Sequence, residues 1–530
     1  MYNIDEKASG AGEPPETVPG LLAYRARTAG EEQAVVCDDT AATYAALDRD
    51  SREIGARLLA AGIGGGDRVG LLMPNGIDWA VAAYAVARIG AVLVPLSTLL
   101  RPRELEAQLR TVEVAALIIV RAYRDRRYAE DLEEVLPGAL SPTAGTHPYL
   151  PSLRRVWVWG EGLAVEGAFA DGPPGPAVRP DDDFVILFTS GSRGAPKGTV
   201  HTHGSALRAV SGGLEARCVR PGERLYIPMP FFWAGGFAGG LLTALAAGAT
   251  LLTERSPEPG RTIGFLKRER VTVFRGWPQQ GARIAAHPSF DPSELPGLRP
   301  GSLDAVLPEE LRARPGARAN LFGMTETFGP YAGYRLDTDM PPEKHGSCGR
   351  PFAGVEVRVV DPETRRPVPA GGSGEILLRG PMLMRGVHGR RDGEVFDADG
   401  YYATGDLGRL DEDGYLWYEG RLDDMFKVSG ATVYPVEVEQ ALRSLPGVRQ
   451  VFVTDVERAS RREVGAVLVG EGLDPAGLAA AGRAVLSSFK VPSLWLVLPD
   501  ETGIPRLASD KPDVSALRRL LRDRGVRAAS

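Results

Sequence analysis

From residue 21 to about 200 the chain alternates stretches of helical periodicity, such as ATYAALDRDSREIGARLLAAG and WAVAAYAVARIG, with short apolar runs, RVGLLM, AVLVPL, AALIIV, RVWVW and FVILFT. That alternation restricts the architecture severely. Strands apolar on both faces need covering layers on both sides, and helices between successive strands supply them and make the strands parallel. We therefore expect an α/β domain with a largely parallel sheet. The pattern recurs over 201–300, with a helix near 203–217, an uncharged segment, GATLLTE as a strand and RTIGFLKRERVTVF as helix then strand, which reads as a second α/β layer. Beyond 340 the chain turns to strands and hairpins (VEVRVVD, GEILLRG, and DEDGYLWYEGR with an Asp413-Gly414 turn), a smaller β-rich subdomain. After Arg421 a compact α+β portion follows, with a helix over 436–444, strands at RQVFVTDV and EVGAVLVG, a helix through 475–488, a strand at SLWLVLP and a closing helix over 513–523. The division expected is a flexible lead-in at 1–20, a large domain at 21–421 and a small mobile domain at 422–530, joined through the polar EGRLDDMFKVSG.

Sixty-two basic against 68 acidic residues leave a net charge of −6, so nothing draws the whole molecule to nucleic acid or to an anionic bilayer. A polyanionic ligand has to be held locally. Residues 231–253 carry no charge, yet they hold five glycines and end in a turn and a strand, so they read as a buried helix feeding the core and not as a membrane span. Three widely spaced cysteines, Cys37, Cys218 and Cys348, suggest no disulfide framework and point to a reducing cytoplasm. Alternation sets His201 and His203 on one face of a strand, but with no carboxylate beside them a metal site is not indicated.

The chemistry concentrates in FVILFTSGSRGAPKGTVHTHG, residues 184–204, where a buried strand runs into a loop of small residues. Backbone N–H groups at Gly191 and Gly194 and the hydroxyls of Thr189, Ser190 and Ser192 can approach a polyphosphate, and Lys197 adds a point charge. The spacing is not that of a Walker A loop. A Gly/Ser loop by itself would be a tight turn; hydroxyls, glycines and lysine together after a strand indicate phosphate binding.

TSGSRGAPKG resembles the signature loop of the adenylate-forming superfamily, which includes acyl- and aryl-CoA ligases, peptide-synthetase adenylation domains and beetle luciferases, and later motifs follow in that family's order over nearly the whole chain. FGMTET at 322–327 is similar to its aromatic-Gly-x-Thr-Glu motif. The resemblance implies that Phe322 stacks on adenine, Gly323 borders the acid, Thr325 bonds a phosphate and Glu326 is a ligand of Mg²⁺. In YYATGDLGRLDEDGYLWYEGRLDD it implies that Asp406 grips the ribose diol and that Arg421 makes a second ribose or phosphate contact, with Asp423 at the hinge. Gly430, in KVSGATVYPVEVE, stands where pantetheine passes the backbone, and Pro435 is closer to the pattern of CoA ligases than to that of peptide synthetases. Lys511 is in register with the C-terminal catalytic lysine, with Asp510 replacing the usual glycine.

The implied reaction has two halves. A carboxylate and ATP give an acyl-adenylate and pyrophosphate, and a thiol, that of CoA or of a carrier protein, then gives a thioester and AMP. Lys197, Thr325, Glu326 and Lys511 are the expected catalytic groups, with ATP, Mg²⁺ and CoA as cofactor and co-substrates. Trp233, where many relatives have histidine, with Gly235, Gly236, Phe237 and Trp277, is expected to line or border a pocket for a medium-chain or aromatic acid. Between 300 and 320 the usual glycine-rich strand is shortened and lacks its Gly-Gly element, which leaves open an unusual small acid such as nitrite. A degenerate nucleotide-binding regulator is the non-enzyme alternative, and a homodimer is possible.

Overall fold

The structure is a computed structural model, and it describes residues 15–141, 147–161, 163, 177–189, 197–319, 321–424, 426–428, 431–433, 435–458, 461–486, 490–507 and 512–527. The chain separates into two compact units, one of Met1–Glu356 with Leu378–Tyr402 and one of Val357–Leu377 with Ala403–Ser530. The hairpin ending at Arg421 thus groups with the C-terminal segment and with the earlier strands of its own sheet in Val357–Leu377. One reason is that helix Pro435–Arg443 packs against strand Leu416–Arg421.

The first unit holds two larger sheets and a three-stranded antiparallel one of Phe322–Met324, Gly329–Gly333 and Arg350–Pro351. One of the larger two runs in the order Gly386–Val387, Lys197–Thr202, Asp183–Thr189, Val92–Pro95, Arg68–Leu72, Ala116–Ile119, Arg155–Val158. Its five strands from Asp183–Thr189 onward are parallel, and the first two add antiparallel at the edge. The second sheet pairs Gln33–Cys37, Arg224–Tyr226, Thr250–Thr253 and Val273–Phe274 in parallel, with Thr40–Thr43 antiparallel. Strands such as Ala116–Ile119 are buried along their whole length, as continuous apolar runs require. Helix Tyr44–Ala60 begins at Thr43, whose hydroxyl accepts from the Ala46 N–H, and it buries Leu47, Ile54 and Leu58 on one stripe.

The uncharged segment is a buried helix in three pieces, Ala234–Gly236, a π-helical turn Phe237–Leu242 and Thr243–Ala247. The Thr243 hydroxyl donates to the Ala238 carbonyl, 2.6 Å away and five residues back, which occupies an acceptor in the wide turn. Gly248, at φ 71°, ends the helix in the left-handed region before strand Thr250–Thr253. Among the described residues no helix is long and apolar enough to cross a membrane.

Two expectations need correction. The helix near 203–217 is broken at Gly213, because the Arg217 guanidinium turns back to the Val210 carbonyl and a Cβ on Gly213 would lie 2.1 Å from it. His201 and His203 do not share one strand face. His201 lies in strand Lys197–Thr202, whereas His203 is the first residue of helix His203–Gly212, started by a reciprocal Thr202–Ser205 capping box.

In the second unit, strands Val448–Arg458, Arg461–Gly470, Leu494–Leu498 and Val526–Arg527 form one sheet. Helices Pro435–Arg443 and Pro475–Val485 bury Val438, Leu442 and Leu478 with Trp495, while Leu517 and Leu521 of helix Val514–Arg524 pack with Val456 and Val467. The even spacing along the strands divides the residues between two faces.

Candidate active site

Two antiparallel strands flank the phosphate-loop candidate, Thr189 pairing with Lys197 and Phe188 with Gly198. Ser190, Gly191, Ser192 and Gly194 lie outside the described residues. Lys197 is exposed. Next to it Gly198 is buried, where a Cβ would sit 2.8 Å from Ile186 Cγ2, so the strand approaches its neighbour more closely than a side chain permits. The outer edge is covered by Arg385, whose N–H donates to Val200, and by His388, whose N–H donates to Gly198.

Thr325 and Glu326 form a single 3-10 turn, Thr325–Thr327, after strand Phe322–Met324. Four bonds fix that turn. The Thr325 carbonyl accepts from the Phe328 N–H at 2.9 Å and from His201 Nε2 at 2.8 Å. The Glu326 carbonyl accepts from the Met384 N–H at 2.8 Å, and its carboxylate Oε1 accepts from the Tyr402 hydroxyl at 3.3 Å. Because a carbonyl can only accept, the His201 proton is on Nε2. His201 is fully buried, and burial pushes its pKa down to about 4 against the opposing pull of the Thr325 carbonyl, so the ring is neutral near pH 7. Gly323 is exposed and lies so close to the Gly329 carbonyl, 2.1 Å from where a Cβ would be, that no side chain fits. The Phe322 ring is half-buried and meets Tyr331 edge-on at 5.5 Å.

Of the six residues expected at the acid pocket, Trp233, Gly235, Trp277 and Gly323 keep accessible surface, and the two indoles meet edge to face at 5.6 Å. Phe237 belongs instead to the aromatic core with Trp79, Phe184 and Phe328. Gly236 is sealed beneath the Pro230 carbonyl, 2.1 Å from its would-be Cβ, so glycine is demanded there by backbone contact. The Met229–Phe231 backbone is anchored by Asn75, which donates to the Met229 carbonyl at 2.9 Å and to Thr253 Oγ1 at 3.1 Å and accepts from the Phe231 N–H at 2.8 Å. Across 300–320 the described residues form short 3-10 turns, Asp304–Val306 and Glu309–Leu311, and no strand.

Within the second unit Asp406 and Arg421 are direct cross-strand partners, with Nη1 3.0 Å from Oδ1. Arg421 also donates to the Thr404 carbonyl at 3.1 Å. Burial opposes the Arg421 charge, but Asp406 outweighs it and raises the guanidinium pKa. Asp406 is thereby a buried carboxylate paired with a guanidinium. Asp423 lies in the 3-10 turn Leu422–Asp424, while Gly430 and Lys511 are outside the described residues.

Sequence reasoning missed His201 as a hydrogen-bond donor, and also Tyr402 and Asn75. Tyr402 stands two residues before Thr404-Gly405-Asp406, which was the available signal. The Asn75 contacts span more than 150 residues and leave no local trace.

The donor set fits a magnesium ion held chiefly by its nucleotide. No group of three or more His, Cys, Asp or Glu side chains capable of caging a metal occurs among the described residues, and Glu326 with Thr325 offers hard oxygens on one 3-10 turn. That suits Mg²⁺, which keeps waters and phosphate oxygens and takes few protein ligands.

The sequence model for the AMP-binding enzyme family matches residues 22–388. A feruloyl-CoA synthase of Amycolatopsis sp is 33% identical over 479 residues, covering 88% of this chain and 92% of that protein. The long-chain-fatty-acid–CoA ligase FadD13 of Mycobacterium tuberculosis is 29% identical over 462 residues, with 85% and 87% covered. Among solved structures, the anthranilate CoA ligase AuaEII in complex with anthranoyl-AMP superposes with a TM-score of 0.77 at 24% identity, over 95% of this chain and 97% of that one, a likeness of fold.

Proposed function

This chain belongs to the AMP-binding enzyme family, and from that premise we propose how its residues share the work of an ATP-dependent, AMP-forming acid–thiol ligase and which acids it takes. The observation that carries the reading is the clamped Thr325–Thr327 turn, which holds Thr325 and a hydrogen-bonded Glu326 in one geometry. Preorganised groups of this kind stabilise charge developing at a phosphate without reorganising during the reaction.

In the first half-reaction the substrate carboxylate oxygen attacks the α-phosphorus of ATP, and pyrophosphate leaves with the electrons of the broken P–O bond. The 189–197 hairpin and Lys197 hold the polyphosphate, Thr325 bonds the α-phosphate, Asp406 takes the ribose hydroxyls, and Lys511 neutralises the oxygens at the reacting centre. Glu326 would hold Mg²⁺ together with the phosphates, and the ion would supply charge neutralisation there. In the second half-reaction a thiol, that of CoA in our reading, attacks the acyl carbon and AMP leaves; Asp423 is the hinge and Gly430 the pantetheine contact. The Trp233–Trp277 pair supports an aromatic or medium-chain acid. Cys37 and Cys218 are buried free thiols, and a reducing, cytoplasmic setting is part of this reading.

The test is pyrophosphate release with MgATP over a panel of aryl, medium-chain and long-chain acids plus nitrite, each with and without CoA. Lys511→Ala is expected to abolish release while sparing thioester formation from supplied adenylate. Equal loss of both steps overturns the division of labour, and release with nitrite alone overturns the acid assignment.

A further inference from the structure

We propose that His201 is a positioning residue for acid activation, in that its Nε2–H, donated to the Thr325 carbonyl, sets the turn that presents Thr325 and Glu326 to the nucleotide. This rests on the reading above that those two residues meet phosphate and Mg²⁺.

The HTH element at 201–203 looks like a metal pair in the sequence and is not one in the structure. His201 Nε2 is committed to a carbonyl 2.8 Å away, and its Nδ1 is buried with no hydrogen-bond partner among the described residues. The ring lies 4.9 Å from that of Phe328, which follows the turn directly and has φ 55°, a left-handed conformation unusual for a bulky residue. His201 therefore pins the turn from behind at two points, by a hydrogen bond at its first residue and by ring contact just past its last. An aliphatic residue would fill this space without burying an unpartnered nitrogen, so the burial cost has to be offset by what the donor does. The second link is the strand. Lys197 and His201 lie four residues apart on one face of Lys197–Thr202, roughly 13 Å along it. One rigid element thus carries the phosphate-loop lysine at one end and the support of the Thr-Glu turn at the other, which fixes the spacing of two phosphate-binding groups distant in sequence.

The experiment compares His201→Leu, His201→Gln and Glu326→Gln in the full-length enzyme. Calorimetry measures binding of α,β-methylene-ATP with Mg²⁺ and of AMP alone, and rapid quench measures adenylation and thioester formation from supplied adenylate separately. The Gln side chain carries its amide N–H near the place of Nε2, whereas Leu cannot donate. We expect His201→Leu to weaken binding of the magnesium–analogue complex and slow adenylation each about tenfold, to weaken AMP binding less, since AMP meets Thr325 but not the metal, and to leave the thioester step at saturating adenylate unchanged, with His201→Gln within about threefold of the parent throughout. Parental analogue binding and adenylation in His201→Leu overturns the proposal, as does a His201→Gln defect equal to that of Leu, since ring shape alone then matters. Unchanged analogue binding in Glu326→Gln overturns the underlying reading of the turn. Should His201→Leu fail to fold, His201→Asn, whose shorter amide stops short of the carbonyl, replaces it in the comparison with Gln.

Discussion

The Tyr402 hydroxyl lies 3.3 Å from Glu326 Oε1, joining residues 76 positions apart within the first unit. That hydrogen bond restricts how the carboxylate can turn, and in the function proposed above its second oxygen is the one that would meet Mg²⁺.

Tyr402→Phe removes that hydroxyl and nothing else. The lost bond to a half-buried carboxylate is worth about 1 kcal/mol, so adenylation is expected to fall roughly fivefold. The apparent Mg²⁺ requirement should rise, while thioester formation from supplied adenylate holds. Stopped-flow pyrophosphate release across a magnesium titration checks this, and an unchanged titration would detach Tyr402 from the metal carboxylate.

What the sequence disclosed follows from the range of the forces involved. Apolar runs and helical periodicity are local, and they foretold the parallel sheets, the 231–253 segment and the α+β end of the chain. The hairpin about Asp413-Gly414 was legible because its turn residues and flanking apolar runs are adjacent in sequence. His201, Tyr402 and Asn75 act on carbonyls or carboxylates far along the chain, so no spacing rule reaches them. His203 was misplaced because Thr202 and Ser205 cap each other and begin a helix where apolar alternation still favoured a strand. Phe237 and Gly236 were drawn toward the pocket by their neighbours, whereas packing against Trp79 and the Pro230 carbonyl decides their positions.

Asn75→Ala should both destabilise the first unit and disturb the acid site. It leaves the Met229 carbonyl and the Phe231 N–H without their buried partner, a loss of about 2–3 kcal/mol. The segment set free leads directly into Trp233. We expect a lower unfolding temperature and a rise in KM for the acid that exceeds the rise in KM for ATP; equal rises would show only general loosening.

His203 makes stability pH-dependent. Burial pushes its pKa from 6.5 down to about 4, against the weaker upward pull of Asp182. Between those values the unfolded chain binds a proton that the folded protein does not, so stability is level above pH 6.5 and declines as pH falls toward 4. By pH 5 the loss from this residue is about 2 kcal/mol. His203→Phe, which keeps a ring against Phe184, should lessen the decline between pH 7 and pH 5 by that amount in urea unfolding, and an identical decline would mean that the imidazole is not sealed from water.

Trp233→Ala tests whether the indole pair is a specificity wall or ordinary packing. The two rings meet edge to face at 5.6 Å, and both retain accessible surface, unlike Phe231 and Phe237, which are fully enclosed beside Trp79. Removing Trp233 empties the volume of an aromatic side chain at that surface and leaves Trp277 without its edge partner. A wall so breached admits longer or bulkier acids and holds small ones poorly. Differences of one or more methylene contacts in an apolar pocket are each worth about 1–3 kcal/mol, so the ratio of kcat/KM between a bulky and a small acid should shift at least about tenfold toward the bulky one. KM for ATP should be unchanged. Trp233→Phe, smaller but still aromatic, should fall between. Competition of paired acids for limiting enzyme measures the ratio directly. An unaltered ratio with a lowered unfolding temperature would assign the pair to packing and move the acid site elsewhere in the first unit.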